Sequence, residues 1–408
     1  MALPRLALLT ADLPGIGGEL KCRPEDFQVE EIPAYPPSGH GSHTYALIQK
    51  TGLSTESAIA RIAAALDVPR RKIGYAGLKD ARAVTRQTVS IEHVDPAKVA
   101  DLNLAGIEVL EVSTHTNKLK LGHLKGNRFV VKIRELDVES PDRARAVLDV
   151  LIDKGMPNYF GPQRFGLRGD NAAIGMAAGR GDYGLALEIM LGRPDEADSP
   201  PIRQARTLFD AGQFVEAGKA WPSQYRERRQ ACFALDRCKA EPDRAWRSLA
   251  WPARRIFLSA MQSALFNRVT ETRLRDLGRL LHGDLAVKHV NGAVFQVTDA
   301  DTEQPRADRF EISPTGPLIG KKMSQPVGQP GAIEAKVFAE AGLTPQDLTE
   351  VGAERLDGAR RPLRVQPQDV GVSGGSDAHG SFIELRFSLP PGSYATSLAR
   401  EVCKSAAT

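Results

Sequence analysis

The spacing of apolar residues changes along the chain, and this change limits the possible folds most strongly. Between residues 107 and 136, apolar and polar side chains alternate with the period of a β-strand, which predicts an antiparallel hairpin. Between residues 170 and 360, helical signals dominate, with a clear apolar stripe over residues 256–269. A chain of 408 residues is long enough for two domains with separate cores. We therefore expect both sheet-forming and helix-rich regions.

Basic residues occupy the intervening positions of the predicted hairpin. They are Lys118, Lys120, Lys125, Arg128, Lys132 and Arg134. A sheet with one apolar face and one cationic face suits a groove that follows a nucleic-acid backbone. A solubilising outer face has the same pattern, and the net charge of +4 is compatible with either interpretation.

A second basic region lies in the helix-rich part of the chain. Arginines are dense between residues 225 and 255, and all 3 tryptophans of the chain lie within or beside this segment. Clustered arginine with interspersed aromatic residues predicts an RNA-contact surface. A solvated helical face with its tryptophans in the core accounts for the pattern nearly as well.

A polar segment at residues 74–87 carries a single carboxylate among cations. Gly74 and Gly77 frame a tight backbone, Lys79 and Asp80 are adjacent, and the residues that follow predict a strand. A compact turn of this kind fits the edge of an active site. On spacing alone, however, a surface hairpin with solvated charges is the better explanation.

Five separated segments carry more specific strings. They read KCRPEDFQVEE at 21–31, AGLKDARAVTRQ at 76–87, GNRF at 126–129, NYFGPQRFG at 158–166 and LPPGSYATSLARE at 389–401. Together, and in this order, they resemble the signatures of the TruD family of tRNA pseudouridine synthases. One such string is weak support for a family, whereas five in order are specific. The chain departs from the family pattern at Tyr394, where the family often has phenylalanine.

The resemblance implies an α+β fold. A pseudouridine synthase catalytic domain, with a mixed or antiparallel sheet and flanking helices, is expected from residues 1–157 together with 361–408. An inserted α-rich TruD domain is expected to interrupt it at residues 158–360. The first and last thirds of the chain would then fold together.

The resemblance also implies an activity and a site. The family converts uridine to pseudouridine in tRNA, usually uridine 13 of tRNA(Glu) in bacteria, and its motif Asp corresponds to Asp80. Phe27, Asn127 and Phe129 are implied at the nucleotide pocket, and Tyr394 retains a ring there with an added hydroxyl. The isomerisation needs no redox step and no external energy, so we expect no cofactor.

Further residues are candidates for supporting Asp80. Burial would raise the pKa of this carboxyl group, and a nearby cation from Lys21 or Lys79 would lower it again. Gln87 belongs to the same motif as Asp80. Arg164 lies in the aromatic segment at 158–166, where it could contact RNA or pair within a core.

Two other activities use the same residues. An Asp-dependent glycosidic hydrolase would need a second carboxylate, for which Glu25, Asp26 and Glu30 are available. An RNA-binding chaperone without essential catalysis would need only the cationic surfaces.

No metal site is expected, because the 4 cysteines form no CxxC pair and the 8 histidines lack ligand spacing. No apolar run approaches the roughly 20 residues that span a bilayer. We expect a cytoplasmic monomer whose partner is tRNA, with no obligate protein partner.

Overall fold

The structure, a computed structural model, describes residues 6–344, 347 and 356–404. The strands are β1 (Gly17–Leu20), β2 (Phe27–Pro33), β3 (His43–Thr51), β4 (Ile73–Tyr75), β5 (Val84–Glu92), β6 (Ile107–His115), β7 (Leu124–Leu136), β8 (Met156–Pro157), β9 (Leu285–Lys288), β10 (Val294–Gln296), β11 (Ile312–Leu318), β12 (Ala359–Pro362), β13 (Arg364–Val365), β14 (Gln368–Asp377) and β15 (Gly380–Leu389). The helices are α1 (Thr55–Ala65), α2 (Pro96–Ala100), α3 (Pro141–Lys154), α4 (Asn171–Gly179), α5 (Tyr183–Leu191), α6 (Pro200–Asp210), α7 (Phe214–Ala220), α8 (Arg226–Arg237), α9 (Pro242–Ser248), α10 (Trp251–Thr272), α11 (Ala300–Asp308), α12 (Gly328–Glu340) and α13 (Ala395–Cys403). The expected domain ranges also include residues 1–5, 345–346, 348–355 and 405–408, which lie outside the described residues.

The chain forms two compact units. The first, here called the sheet unit, contains Leu8–Met156 and the segment that begins at Val365. The second, the helix-rich unit, contains Pro157–Arg364. The mixture of helices and a mixed sheet confirms the α+β class.

The sheet unit is built on nine strands. Their order is β14-β15-β7-β2-β5-β3-β6, with β1 beside β7 and β4 beside β5. β2 and β5 are parallel, and β7 runs antiparallel to β1, β2 and β15. The strands predicted within residues 107–136 are present, but the predicted hairpin is wrong, because β6 pairs with β3 and not with β7. Alternation identifies a strand and its faces, whereas the choice of partner depends on contacts that are distant in sequence.

One row of residues crosses the sheet from β3 to β15. The register places Lys50 opposite Thr85, Thr85 opposite Val29, Val29 opposite Phe129, and Phe129 opposite Phe387. Directly paired residues project from the same face of a sheet. These five side chains therefore share one face, with the basic residue at one end of the row and two rings at the other.

Helices cover this face with two apolar cores. Residues of α3 and α13 pack on the β7 and β15 side, in the cluster that contains Phe129 and Phe387. Residues of α1 pack on the β3 and β5 side, in the cluster that contains Ile48 and Val89. Burial of each such side chain contributes roughly 1.5–3 kcal/mol, so the two clusters fix the sheet to its helices.

Local sequence determines where these helices begin. The Ser54 hydroxyl accepts a hydrogen bond from Ser57 N at 3.1 Å and caps α1. The Ser140 hydroxyl accepts from Arg143 N at 3.3 Å, and Pro141 occupies the first turn of α3. Because Ser54 provides the cap of α1, the neighbouring Thr55 hydroxyl is available for another contact.

The helix-rich unit contains α4–α12 and also a small sheet that the sequence pattern did not predict. Its four strands lie in the order β10-β9-β11-β12. Trp221 and Trp246 are buried in this unit, in agreement with the interpretation that places tryptophans in the core. No helix in the described part of the chain is both long and apolar enough to cross a membrane.

Candidate active site

Asp80 lies in the loop at residues 76–83, between β4 and β5. Its Oδ1 accepts a hydrogen bond from Arg82 N at 2.9 Å, and its Oδ2 accepts one from Lys21 Nζ. The side chain is 27% exposed, so solvent or a ligand can reach the carboxylate. The loop therefore presents an oriented and accessible carboxylate.

The surroundings of Asp80 favour its ionised form. Partial burial raises the pKa of this carboxyl group, but the hydrogen bonds from Lys21 and from Arg82 N lower it more. The positive charges of Lys21 and Lys50 act in the same direction. The net pKa lies below the usual value for aspartate, so Asp80 is charged at neutral pH.

Lys21 reaches Asp80 from the connection between β1 and β2. Its φ angle is 59°, a left-handed conformation that costs a non-glycine residue roughly 1–2 kcal/mol. Its Nζ also lies 4.4 Å from the centre of the Phe27 ring. A strained backbone thus directs the lysine toward both the carboxylate and an aromatic ring.

Lys79 does not pair with Asp80. Its Nζ lies 2.8 Å from Glu31 Oε2, and the two side chains are 4% and 2% exposed. The adjacent residues Lys79 and Asp80 therefore have opposite surroundings, one buried and one accessible. Of the two lysines considered as partners for Asp80, the structure brings Lys21 to the carboxylate.

Gln87 is buried beneath the loop and supports its main chain. Its Oε1 accepts from the Thr55 hydroxyl at 2.9 Å, and its Nε2 lies 3.5 Å from Gly77 O. The Thr55 oxygen accepts from Lys79 N at 2.9 Å. This chain of contacts connects β5, the first residue of α1 and the loop.

Lys50 is a residue of the site that the sequence motifs do not include. It is fully buried, and its Nζ donates to the main-chain oxygens of Asp80, at 3.0 Å, and Leu53. The alternation along β3 was the available signal, because Ala46 and Ile48 are buried on the face that Lys50 shares.

The two phenylalanines predicted at the pocket, Phe27 and Phe129, are more deeply buried than residues that line an open pocket. Phe27 and Phe129 are 4% and 6% exposed, and their ring centres are 6.2 Å apart in an edge-to-face arrangement. Phe129 also stacks on Phe387, with ring centres 5.3 Å apart. Both predicted pocket residues therefore belong to the apolar core, and only a small part of each ring is accessible.

Two polar atoms on the same sheet face have unused hydrogen-bonding capacity. Asn127 Oδ1 and Thr85 Oγ1 are buried and have no hydrogen-bond partner within the described residues. Asn127 lies opposite Glu31 on β2 and opposite Leu389 on β15. A buried acceptor without a partner costs free energy unless a ligand or water satisfies it. Tyr394 is half-buried and directly precedes α13.

Arg164 belongs to the helix-rich unit. Its guanidinium lies 5.4 Å from the centre of the Phe160 ring, in a short turn at Pro162–Phe165. This cation–ring contact lies within the helix-rich unit, whereas Asp80 belongs to the sheet unit.

The cationic face predicted for residues 107–136 is only partly available. Arg134 is buried and pairs with Asp26 at 2.7 Å and with Asp377 at 2.8 Å, and Lys132 pairs with Asp377 at 3.1 Å. These two cations are therefore neutralised within the protein and cannot serve as free phosphate contacts. Lys125 and Arg128 are exposed, although Arg128 also lies 3.5 Å from Glu30.

An open basic groove of about 360 Å³ lies along α8 in the helix-rich unit. It is lined by Arg226, Arg229, Gln230, Phe233 and Arg237. The neighbouring Arg228 instead packs over the rings of Trp221 and Tyr225, with its guanidinium 5.5 and 5.1 Å from their centres. In this segment, Arg228 is therefore packed against aromatic rings, whereas the arginines that line the groove are accessible.

Within the described residues, one exposed group brings three possible metal-ligand atoms together. The ligand atoms of Glu19, Cys22 and Glu135 lie within 4.8 Å of one another. All three side chains are exposed, and exposed acidic groups are common without a metal ion.

Comparison with known proteins gives consistent matches over nearly the whole chain. Residues 5–402 match the family model of tRNA pseudouridine synthase D (TruD). A tRNA pseudouridine synthase D from Geobacter sulfurreducens is 47% identical over 396 residues, covering 97% of this chain and 96% of that protein. One from Thermus thermophilus is 39% identical over 408 residues, covering 98% and 92%. The crystal structure of a protein described as TruD from Methanosarcina mazei has a TM-score of 0.83 at 27% identity, covering 98% and 96%.

Proposed function

The chain belongs to the TruD family of tRNA pseudouridine synthases, and we propose that it uses Asp80 to convert uridine 13 of tRNA(Glu) to pseudouridine. The observation that supports this role for Asp80 is its combination of a lowered pKa, partial exposure and contact with Lys21. The position and the tRNA are the usual target of the family in bacteria.

The reaction exchanges one bond to the sugar for another. The bond from ribose C1′ to uracil N1 breaks, the base turns, and C1′ bonds to C5. The proton on C5 is lost and N1 gains a proton, so no oxidant or reductant takes part. An ionised Asp80 can begin the reaction by attacking C1′, or by removing a ribose proton to give a glycal.

Lys21 stabilises the charged form of Asp80 before the substrate arrives. Its hydrogen bond goes to Oδ2, one of the two atoms that could react. The ammonium must therefore move aside, or share the oxygen, when the sugar approaches. Its position near the Phe27 ring keeps it within the site during that exchange.

The target base would leave the tRNA stack and enter beside Phe27, Phe129 and Tyr394. Asn127 Oδ1 would then accept a hydrogen bond from the N3–H of uracil, which would satisfy this buried atom. Because the two phenylalanines are largely buried, they would contact the base by their edges. Gln87 would act indirectly, by holding the loop that carries Asp80.

Binding of the tRNA needs more than these base contacts. Stacking on an aromatic ring contributes roughly 1–3 kcal/mol per base, and extruding a base costs a few kcal/mol. Contacts between cations and phosphates must therefore supply most of the affinity. We assign them to the groove on α8 and to the exposed residues Lys125 and Arg128 of the sheet unit, and we keep Arg164 as a further RNA-contact candidate.

A glycosidic hydrolase is a poorer explanation of the same geometry. It would need a second carboxylic acid beside Asp80. Asp26 is held by Arg134, and Glu30 lies 3.5 Å from Arg128. A chaperone without catalysis would not need the lowered pKa of Asp80.

Mapping of pseudouridine in cellular tRNA tests the assignment of the target. We expect a strain that lacks the protein to lose pseudouridine at position 13 of tRNA(Glu) and to regain it when the gene is returned. Retention of pseudouridine at this position, with loss elsewhere, would refute the target but not the enzyme class. We further propose a cytoplasmic monomer, which gel filtration of the purified protein alone and with tRNA can test.

A further inference from the structure

Lys50 occupies an unusual place for a lysine. It lies at the β3 end of the row that continues through Thr85, Val29 and Phe129, on the face of the sheet that the helices cover. Residues two and four positions earlier on β3, Ile48 and Ala46, are core residues of the same face. The pattern of the strand therefore favours an apolar side chain at position 50.

A buried ammonium group destabilises the fold, so the presence of Lys50 in the core needs an explanation other than stability. Removing a lysine charge from water costs several kcal/mol, and hydrogen bonds to neutral carbonyl groups recover only part of it. The hydrogen bonds of Lys50 go to the main-chain oxygens of Asp80 and Leu53. A departure from the core pattern next to a candidate catalytic residue indicates a functional constraint.

We propose that Lys50 is a positioning residue for Asp80. Its ammonium fixes the main chain at Asp80 and adds a positive charge to the surroundings of the carboxylate, while its hydrogen bond goes to the main-chain oxygen and not to the carboxylate. Lys21, in contrast, binds Oδ2 directly and competes with the substrate for that atom. This inference rests on the proposed catalytic role of Asp80.

The segment that carries Lys50 holds the Asp80 loop at several points. Gly52 N donates to Ala83 O at 3.3 Å, at the end of the loop. The Thr55 oxygen accepts from Lys79 N, at the middle of the loop. Lys50 therefore supplies the charged contact in a set of hydrogen bonds between residues 50–55 and the loop, and a displacement of about 1 Å at such a site can cost 10²-fold in rate.

Charges from several elements act on Lys50. Burial lowers the pKa of Lys50 to about 8, the Asp80 carboxylate opposes this effect, and Lys79 adds to it. Of these two neighbours of Lys50, Asp80 is paired with Lys21 and Lys79 is paired with Glu31. Lys50 is charged below its pKa and neutral above it, so the support that it gives Asp80 should be lost as the pH rises through about 8.

Three variants separate positioning from simple stability. Lys50→Met removes the charge at similar length, and Lys50→Arg keeps a charge that does not titrate in the working range. Lys98→Met is the matched control, because Lys98 is exposed on α2 in the same unit. Each protein is assayed for kcat and KM on tRNA between about pH 6 and pH 9, below the pH at which uracil loses its N3 proton, and its melting temperature is recorded.

We expect Lys50→Met to lower kcat by about 10–100-fold with KM nearly unchanged, and without a matching fall in melting temperature. The wild type and Lys98→Met should lose kcat as the pH rises through about 8, whereas Lys50→Arg should not. The melting temperature alone would change if Lys50 had only a structural role.

Wild-type kcat in Lys50→Met, or an equal alkaline loss of kcat in the wild type and Lys50→Arg, overturns the proposal. If Lys50→Met fails to fold, the pH profiles of the wild type and Lys50→Arg still test the proposal. Activity in Asp80→Asn would refute the proposed function itself. An inactive Asp80→Asn beside a fully active Lys50→Met would refute only the role of Lys50.

Discussion

Breaking the buried ion pair between Lys79 and Glu31 should strongly destabilise the loop that carries Asp80. With an effective dielectric constant of about 20, two unit charges 2.8 Å apart attract each other by roughly 6 kcal/mol. Desolvation of both groups offsets much of this attraction. Removing one partner, however, leaves the other charge buried and unpaired.

We therefore expect Glu31→Leu to destabilise the sheet unit by about 3–5 kcal/mol, and Lys79→Met to have a similar effect. The double variant should be more stable than either single variant, because it leaves no unpaired charge, so the effects of the two single substitutions should be strongly non-additive. Glu31 also accepts a hydrogen bond from Thr88 N at 3.3 Å, so the double variant should lose about 1 kcal/mol relative to the wild type.

The assay is urea unfolding, monitored by the hydrogen exchange of peptides from β2 and β5. These peptides report on the sheet unit separately from the helix-rich unit. The matched control is the ion pair between Arg145 and Asp149 on α3, whose atoms are also 2.8 Å apart but whose side chains are 48% and 55% exposed. Asp149→Leu should change the free energy of unfolding by less than about 1 kcal/mol. Equal effects of Glu31→Leu and Asp149→Leu would show that burial does not determine the effect of removing one partner.

Three further predictions concern residues that we propose to act on or bind the tRNA. Phe129→Leu should keep the fold and lower kcat/KM by about 5-fold, because an edge contact is worth the low end of the roughly 1–3 kcal/mol of a stacked base; an unchanged kcat/KM would remove Phe129 from the pocket. Lys21→Met should raise the pKa of Asp80, so that kcat is lost at a higher pH as the solution is acidified; an unmoved acid limb of the pH profile would contradict this. Replacing Arg226 and Arg237 together by Gln should flatten the salt dependence of tRNA binding by roughly one unit of slope for each phosphate that is no longer neutralised, at unchanged melting temperature; an unaltered slope would exclude the α8 groove.

The sequence indicated the fold class and the strands β5, β6 and β7, but not how these strands pair. The alternation in residues 107–136 correctly predicted β6 and β7 and wrongly paired them with each other. β7 instead lies between β15 and β2, an arrangement that joins residues far apart in the chain. The four-stranded sheet of the helix-rich unit was missed, because strands as short as β9 and β10 carry too few residues to show a period.

The sequence likewise predicted some features of the candidate site and not others. The importance of Asp80 came from the family motif, since its spacing alone favoured a solvated hairpin. Its partner could not be chosen, because Lys21 is 59 residues away in sequence and reaches Asp80 only through the sheet. The burial of Phe27 and Phe129 also depends on the helices that cover the face, and no local pattern contains that information.

Lys50 could have been suspected from the strand pattern alone. It continues the buried positions of Ala46 and Ile48 with a charged residue. What the pattern could not supply is the loop that accepts its hydrogen bonds.

The catalytic role proposed for Asp80 is best tested by the activity of Asp80→Asn on tRNA, measured by mass spectrometry of pseudouridine together with the Kd for tRNA. Asparagine keeps the shape of the side chain and removes the charge that the proposed mechanism requires. We predict no detectable pseudouridine, a Kd within a few fold of the wild type, and an unchanged melting temperature. Formation of pseudouridine at the wild-type rate by Asp80→Asn would show that the carboxylate is not the catalytic group.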